Sequence, residues 1–131
     1  IYRFSEEGRT IFVTTHYMDE AEHCNRIALI INGEIIALDS PDALKKNFNL
    51  SVYSLVTDNF LEAFEKVRYQ DYIIEAAIFG TDIHILCEQN VPIKRKISAF
   101  FKEQGISHYT IHQVMPTLED VFVSNARKYN L

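Results

Sequence analysis

The chain has 131 residues, 47% of them hydrophobic, with a formal net charge of -5, which is ample material for one buried core or slightly more. That acidic balance argues against the basic footprint of a nucleic-acid-binding protein, and no apolar run approaches the about 18 residues needed to cross a bilayer. Two cysteines, Cys24 and Cys87, stand in unrelated segments, so they form no disulfide framework and suit a reducing compartment.

Taken in order, residues 1–8 read as the tail of a helix ending at the glycine cap Gly8. With Ile1 rather than methionine in front, the expectation is a C-terminal piece of a longer protein. Residues 10–14 form a β-rich, nearly continuous apolar run, the pattern of an internal parallel strand covered on both faces. His16 follows directly. Ligands of open parallel sheets bind beyond the carboxyl ends of the strands, and an imidazole there can meet a phosphate because either ring nitrogen can donate. A lone histidine after a strand is, by itself, more readily a capping or surface group. The acidic run Asp19, Glu20 and Glu22 opens a helix. Residues 26–31 then read as a strand, Asn32-Gly33 as a type I′ turn and residues 34–38 as the hairpin partner. Ser40 caps a further helix with Pro41 at its first position and Asp42 in its first turn.

The succession from Val13 to Leu44, including RIALIINGEIIALDSPDAL, resembles the end of the ATP-binding cassette of an ABC transporter over roughly the first 46 residues. The resemblance implies that His16 is the switch-loop histidine, which contacts the γ-phosphate of ATP and couples it to the catalytic glutamate. ATP and Mg2+ would be the cofactors of the intact parent, and none is expected in the fragment. A G-x-x-x-x-G-K-[ST] phosphate loop is absent, and four glycines leave no room for a degenerate copy. The glutamine loop, signature motif and catalytic-glutamate strand of that family are missing as well. The expected fragment therefore carries one catalytic residue of an ATPase and is inactive alone.

After Phe48 the pattern changes to strand, helix, strand, strand, helix, strand. Residues 51–57 alternate, with Tyr53 and Leu55 on one face and Val52 and Val56 on the other. Asp58 is the expected cap of a helix whose inward stripe is Phe60, Leu61, Phe64 and Val67. Residues 72–79 and 81–88 are strands joined around Gly80. Pro92 starts a helix that turns Ile93, Ile97, Phe100 and Phe101 inward and stops at Gly105. Residues 107–114 supply the last strand. A βαββαβ order places two helices on one face of an antiparallel sheet with spatial order 4-1-3-2. Ala77 and Phe79 alternate with Ala76 and Ile78, so the opposite face is also apolar and is expected to find cover, by self-association or docking.

The expected fold class is thus α/β then α+β: residues 1–48 as the end of an ABC-type nucleotide-binding domain, and 49–131 as a ferredoxin-like accessory domain with a C-terminal helix. That second unit resembles the small domain appended to nucleotide-binding subunits of bacterial drug and antibiotic exporters. The closing Pro116-Thr117-Leu118-Glu119-Asp120-Val121-Phe122 is similar to the P-S/T-L-E-D-V-F ending of those subunits. It also reads locally as a helix capped by Thr117, with Asp120 at the third position and an apolar ridge of Leu118, Val121 and Phe122. That ridge packs on its own domain or acts as a latch on the cassette or a partner, the first being the usual fate of an amphipathic helix.

No metal site is expected. His84 and Cys87 point to opposite faces of one strand, while His108 and His112 lie about 10 Å from His84 with a strand between. His23 fits a helix C-terminus, and Lys94-Arg95-Lys96 a solvated helix face. The resemblance implies an ATP-hydrolysing exporter subunit that works as a homodimer with a second ATP-binding subunit, on an ABC membrane-spanning permease. It would be cytoplasmic, peripheral on the inner face of the membrane. The alternative is a regulatory or dimerisation module binding a small ligand, for which a glycine-rich strand-to-helix turn is the cue. Residues 56–59 contain none.

Overall fold

The computed structural model describes residues 2–129; Ile1, which the helix-tail reading included, lies outside them. The elements run α1 (Tyr2–Glu6), α2 (Met18–Ala21), β1 (Ile27–Ile31), β2 (Glu34–Asp39), α3 (Pro41–Lys46), β3 (Ser51–Thr57), α4 (Phe60–Val67), β4 (Glu75–Phe79), β5 (Asp82–Cys87), α5 (Ile93–Glu103), β6 (Tyr109–Val114) and α6 (Leu118–Lys128). The chain is mixed α and β with two antiparallel sheets, a β1-β2 hairpin and a four-stranded sheet of order β4-β5-β3-β6. No helix among the described residues is long and apolar enough to cross a membrane.

The hairpin follows from its turn. Asn32 (φ 52) and Gly33 (φ 80) both take the left-handed backbone that a type I′ turn demands, so Ile31 pairs with Glu34 and Ile30 with Ile35. A register shift beyond Ile30 brings Leu29 opposite Ala37, leaving Ile36 as the extra residue of a bulge. Ile27, Leu29 and Ile31 are buried while Ala28 and Ile30 are exposed, the alternation of a sheet covered on one face. Ser40 Oγ accepts from Ala43 N at 3.2 Å and Pro41 occupies the first turn of α3, as its sequence requires.

The four-stranded sheet has the order anticipated from the βαββαβ succession. Its larger core gathers Leu55, Ile83, Ile85 and Cys87 from the strands against Val67 of α4 and Ile93, Ile97 and Phe101 of α5. Phe101, fully buried, meets Tyr109 edge-on at 4.9 Å. Gly105 (φ 73) ends α5, and Ile106 N returns to Phe101 O at 2.8 Å, the glycine C-cap geometry.

Four details depart from the sequence expectation. Residues 10–14 belong to no ladder, and Phe12 is 93% exposed. A strand meant to be covered on both faces needs neighbours on either side, and none is supplied among the described residues. The cap of α4 is Asn59 rather than Asp58, and its amide donates to Glu62 Oε2 at 2.7 Å. Leu61 is 59% exposed; the inward stripe runs through Phe60, Ala63, Phe64 and Val67, because only the i, i+3, i+4, i+7 positions share a helix face. Residues 72–74 are irregular, with Ile74 N already donating to Leu86 O at 2.9 Å, and β4 begins at Glu75.

The second face of the sheet is not left open. Val52 and Leu86 point away from the α4/α5 side yet are fully buried, and α6 reaches that face through Asp120 and His84. The same helix sends Leu118 and Val121 into a smaller core with Ala21, Ile27 and Leu29. It therefore touches both units, and the part of this sheet face at Val52 and Leu86 is buried within the chain, while Val56 on the same face stays exposed.

Candidate functional site

His16 sits on the loop before α2, with its side chain at the surface. The backbone around it is held by its neighbours: Tyr17 N donates to Thr15 Oγ1 at 3.0 Å, and that hydroxyl donates in turn to Glu20 of α2. Such a local turn fixes the direction of the histidine without burying it. The imidazole lies against the Tyr17 ring with centroids 4.2 Å apart. Chemically this is a single presented donor, able to give one hydrogen bond to an anion. It lines neither of the two clefts described next.

One cleft, of about 640 Å³, is lined by Leu44 and Phe48 of the first unit together with Ile74, Val121, Asn125 and Arg127 of the second. A smaller one of about 330 Å³ sits at the end of α5 around Lys102, Ile106 and Tyr109. Neither gathers a set of catalytic groups.

The most organised polar group in the chain lies elsewhere. Asp120, wholly buried, accepts at Oδ2 from Thr117 N (2.8 Å) and Thr117 Oγ1 (2.9 Å), while Thr117 Oγ1 accepts from Asp120 N at 3.2 Å. This completes the capping box of α6. Its other oxygen, Oδ1, stands 2.9 Å from His84 Nδ1. A carboxylate already accepting twice is an acceptor here too, so the ring donates from Nδ1. Phe79 stacks on the imidazole at 4.3 Å. Sequence parity did place His84 on the face opposite Cys87; what it missed was that α6 would bring Asp120 to that face, since nothing periodic links positions 84 and 120.

The remaining candidates are dispersed. Cys87 is buried in the larger core and Cys24 is half-buried at the smaller one, both as free thiols. Burial pushes the Cys87 thiol up from its ordinary value, with Glu88 adding to it. His112 lies opposite Ser54, which in turn lies opposite His84, and His108 precedes β6 in an exposed loop. Between the end of α2 and α3, Lys45 Nζ donates to Glu22 Oε2 at 2.6 Å. That bond, aided by Asp42, raises the lysine's affinity for its proton.

No protein-family model matches the chain. Over 40 residues, 30% of its length, it is 58% identical to the probable multidrug ABC transporter ATP-binding protein YbhF of Escherichia coli (strain K12), of which this is 7%. Over 39 residues it is 56% identical to the fluoroquinolones export ATP-binding protein MT2762 of Mycobacterium tuberculosis (strain CDC 1551 / Oshkosh), covering 29% of this chain and 13% of that protein. A longer match, 27% identical over 140 residues, covers 96% of this chain and 8% of the human phospholipid-transporting ATPase ABCA3. The chain is therefore homologous to the ATP-binding proteins of ABC transporters, and it spans between 7% and 13% of the length of these three relatives.

Proposed function

We propose that residues 1–48 form the end of the nucleotide-binding domain, and residues 49–131 a ferredoxin-like accessory domain, of the ATP-hydrolysing subunit of an ABC exporter. The observation that carries this reading is the uninterrupted order of presented His16, acidic α2, the Asn32-Gly33 hairpin and the Ser40-capped α3. The relative named as a fluoroquinolones export ATP-binding protein supports the export direction. In the intact subunit His16 serves as the switch-loop histidine on the γ-phosphate of ATP, with Mg2+ held by residues outside this chain. Two such subunits pair around ATP and act on a membrane-spanning permease, which places them on its cytoplasmic side.

His16 cannot bind nucleotide unaided. One hydrogen bond to a charged group contributes about 1.5–3 kcal/mol, whereas even millimolar affinity needs about 4 kcal/mol. Calorimetric titration with Mg-ATP separates the cases: the intact subunit is expected to bind and this chain alone to give no measurable heat. Micromolar binding by this chain alone, or none by the intact subunit, would contradict the reading.

A further inference from the structure

We infer that the Asp120–His84 contact is a joint that seats α6 on the four-stranded sheet, and that through it α6 couples that sheet to the β1-β2 hairpin unit. Three observations on opposite sides of one helix carry this. Facing the sheet, Asp120 is fully buried and spends one oxygen on its own helix cap and the other on His84. Facing the hairpin, Leu118 and Val121 complete the core made with Ala21, Ile27 and Leu29. At the far end of the helix, Arg127 Nε stands 3.9 Å from Glu75 Oε2 of β4, both partly exposed, a contact too long and too wet to hold the helix in place.

The chemistry explains why the joint is directional. A buried carboxylate is costly unless each oxygen is satisfied. Oδ2 is satisfied within α6 whatever the helix does, but Oδ1 is satisfied only when the first turn of α6 lies over β5 at His84. Sliding or rotating α6 by one residue takes that oxygen away from His84 and leaves it buried without its partner, so the pair selects one seating among the many that apolar contacts alone would tolerate. His84 is held in turn by the Phe79 stack, and its strand neighbour Asp82 is engaged by Ser54 Oγ at 3.2 Å. Because Leu118 and Val121 ride on the same helix turns as Asp120, a loss of seating at the sheet is passed to the hairpin core.

Hydrogen–deuterium exchange on the whole chain tests this with Asp120→Asn and, should that variant not accumulate in soluble form, His84→Ala. Amides of residues 118–128 and of the hairpin, residues 27–39, are expected to exchange faster together, by about ten- to a hundredfold, the loss associated with a buried charge-assisted bond. Amides of β3 and β5, whose core lies on the other face, keep their protection. Thr117→Ala, which removes the hydroxyl of the cap but leaves Thr117 N and the contact to His84, is expected to accelerate residues 118–128 and 27–39 less than the joint variants do. Unchanged exchange at residues 27–39 in the joint variants would overturn the coupling, and so would a uniform acceleration in which β3 and β5 open with the rest.

Discussion

The two units of this chain close their cores in different ways. The four-stranded unit is self-sufficient: α4, α5 and four strands contribute both walls of a core in which Leu55, Ile83, Ile85, Ile97 and Phe101 are fully buried. The hairpin unit has one sheet face and short helices to cover it, and it borrows Leu118 and Val121 from a helix some eighty residues further along the chain. It also leaves Phe12, Ile30, Ile35 and Leu38 exposed. The difference teaches that apolar content does not by itself close a core. Layers must be supplied on every apolar face, and the hairpin unit's surplus marks where further covering structure would fit.

That contrast can be broken most sharply at the larger core. Phe101→Ala is expected to cost about 3–5 kcal/mol and to lower the denaturant midpoint of the whole chain, because the borrowed helix rests on the sheet this residue supports. Urea unfolding followed by far-UV circular dichroism would measure it, and a midpoint within error of the parent sequence would deny the four-stranded unit its dominant role. Leu118→Ala, at about 2–5 kcal/mol, is expected to act unequally, releasing the hairpin while β3 and β5 remain ordered. Residue-resolved NMR would distinguish this from uniform loss, which would mean that the units are one cooperative core. Smaller still is Thr117→Ala, at about 0.5–2 kcal/mol for a lost cap, read as a shift of the thermal midpoint.

The smallest expected effect is alkaline. Lys45 and Cys87 both hold their protons more tightly in the folded chain than their ordinary values of 10.5 and 9.0, the first through Glu22 and the second through burial. Groups raised on folding contribute stability that is complete below the unfolded value and is lost as pH rises toward the folded one. The contribution of these two groups should therefore be flat below about pH 9 and decline above it, first for Cys87 and then for Lys45. Denaturant midpoints of Lys45→Met across that range should show a shallower decline at its upper end; an unaltered slope would remove Lys45 from the account.

How much of this was legible in the sequence depended on the range of the interactions involved. The Asn32-Gly33 turn, the Ser40-Pro41 helix start and the Thr117–Asp120 capping box are settled within four residues, and each is found where its residue types place it. The order β4-β5-β3-β6 was legible because few topologies suit a βαββαβ succession. Residues 10–14 show the opposite case: an apolar run states that burial is needed but not which neighbour provides it. Leu61 was misplaced because an apolar residue one position off the stripe still looks amphipathic in a short helix. The Asp120–His84 contact depends on where α6 crosses a sheet, which no local pattern encodes. The role proposed for His16 comes from motif order rather than from its surroundings, which present one exposed imidazole against the Tyr17 ring, on a loop braced by the Thr15–Glu20 hydrogen bond.

The central claim is that this imidazole acts on a transferring phosphoryl group in the intact subunit. Steady-state ATPase turnover of the longer protein carrying His16→Ala, measured beside its affinity for Mg-ATP, tests it most directly. A residue that stabilises developing charge favours the transition state over the bound nucleotide. Turnover is therefore expected to fall about a hundredfold or more while nucleotide affinity stays within a few-fold of the parent. Turnover equal to that of the unaltered subunit would contradict the assignment.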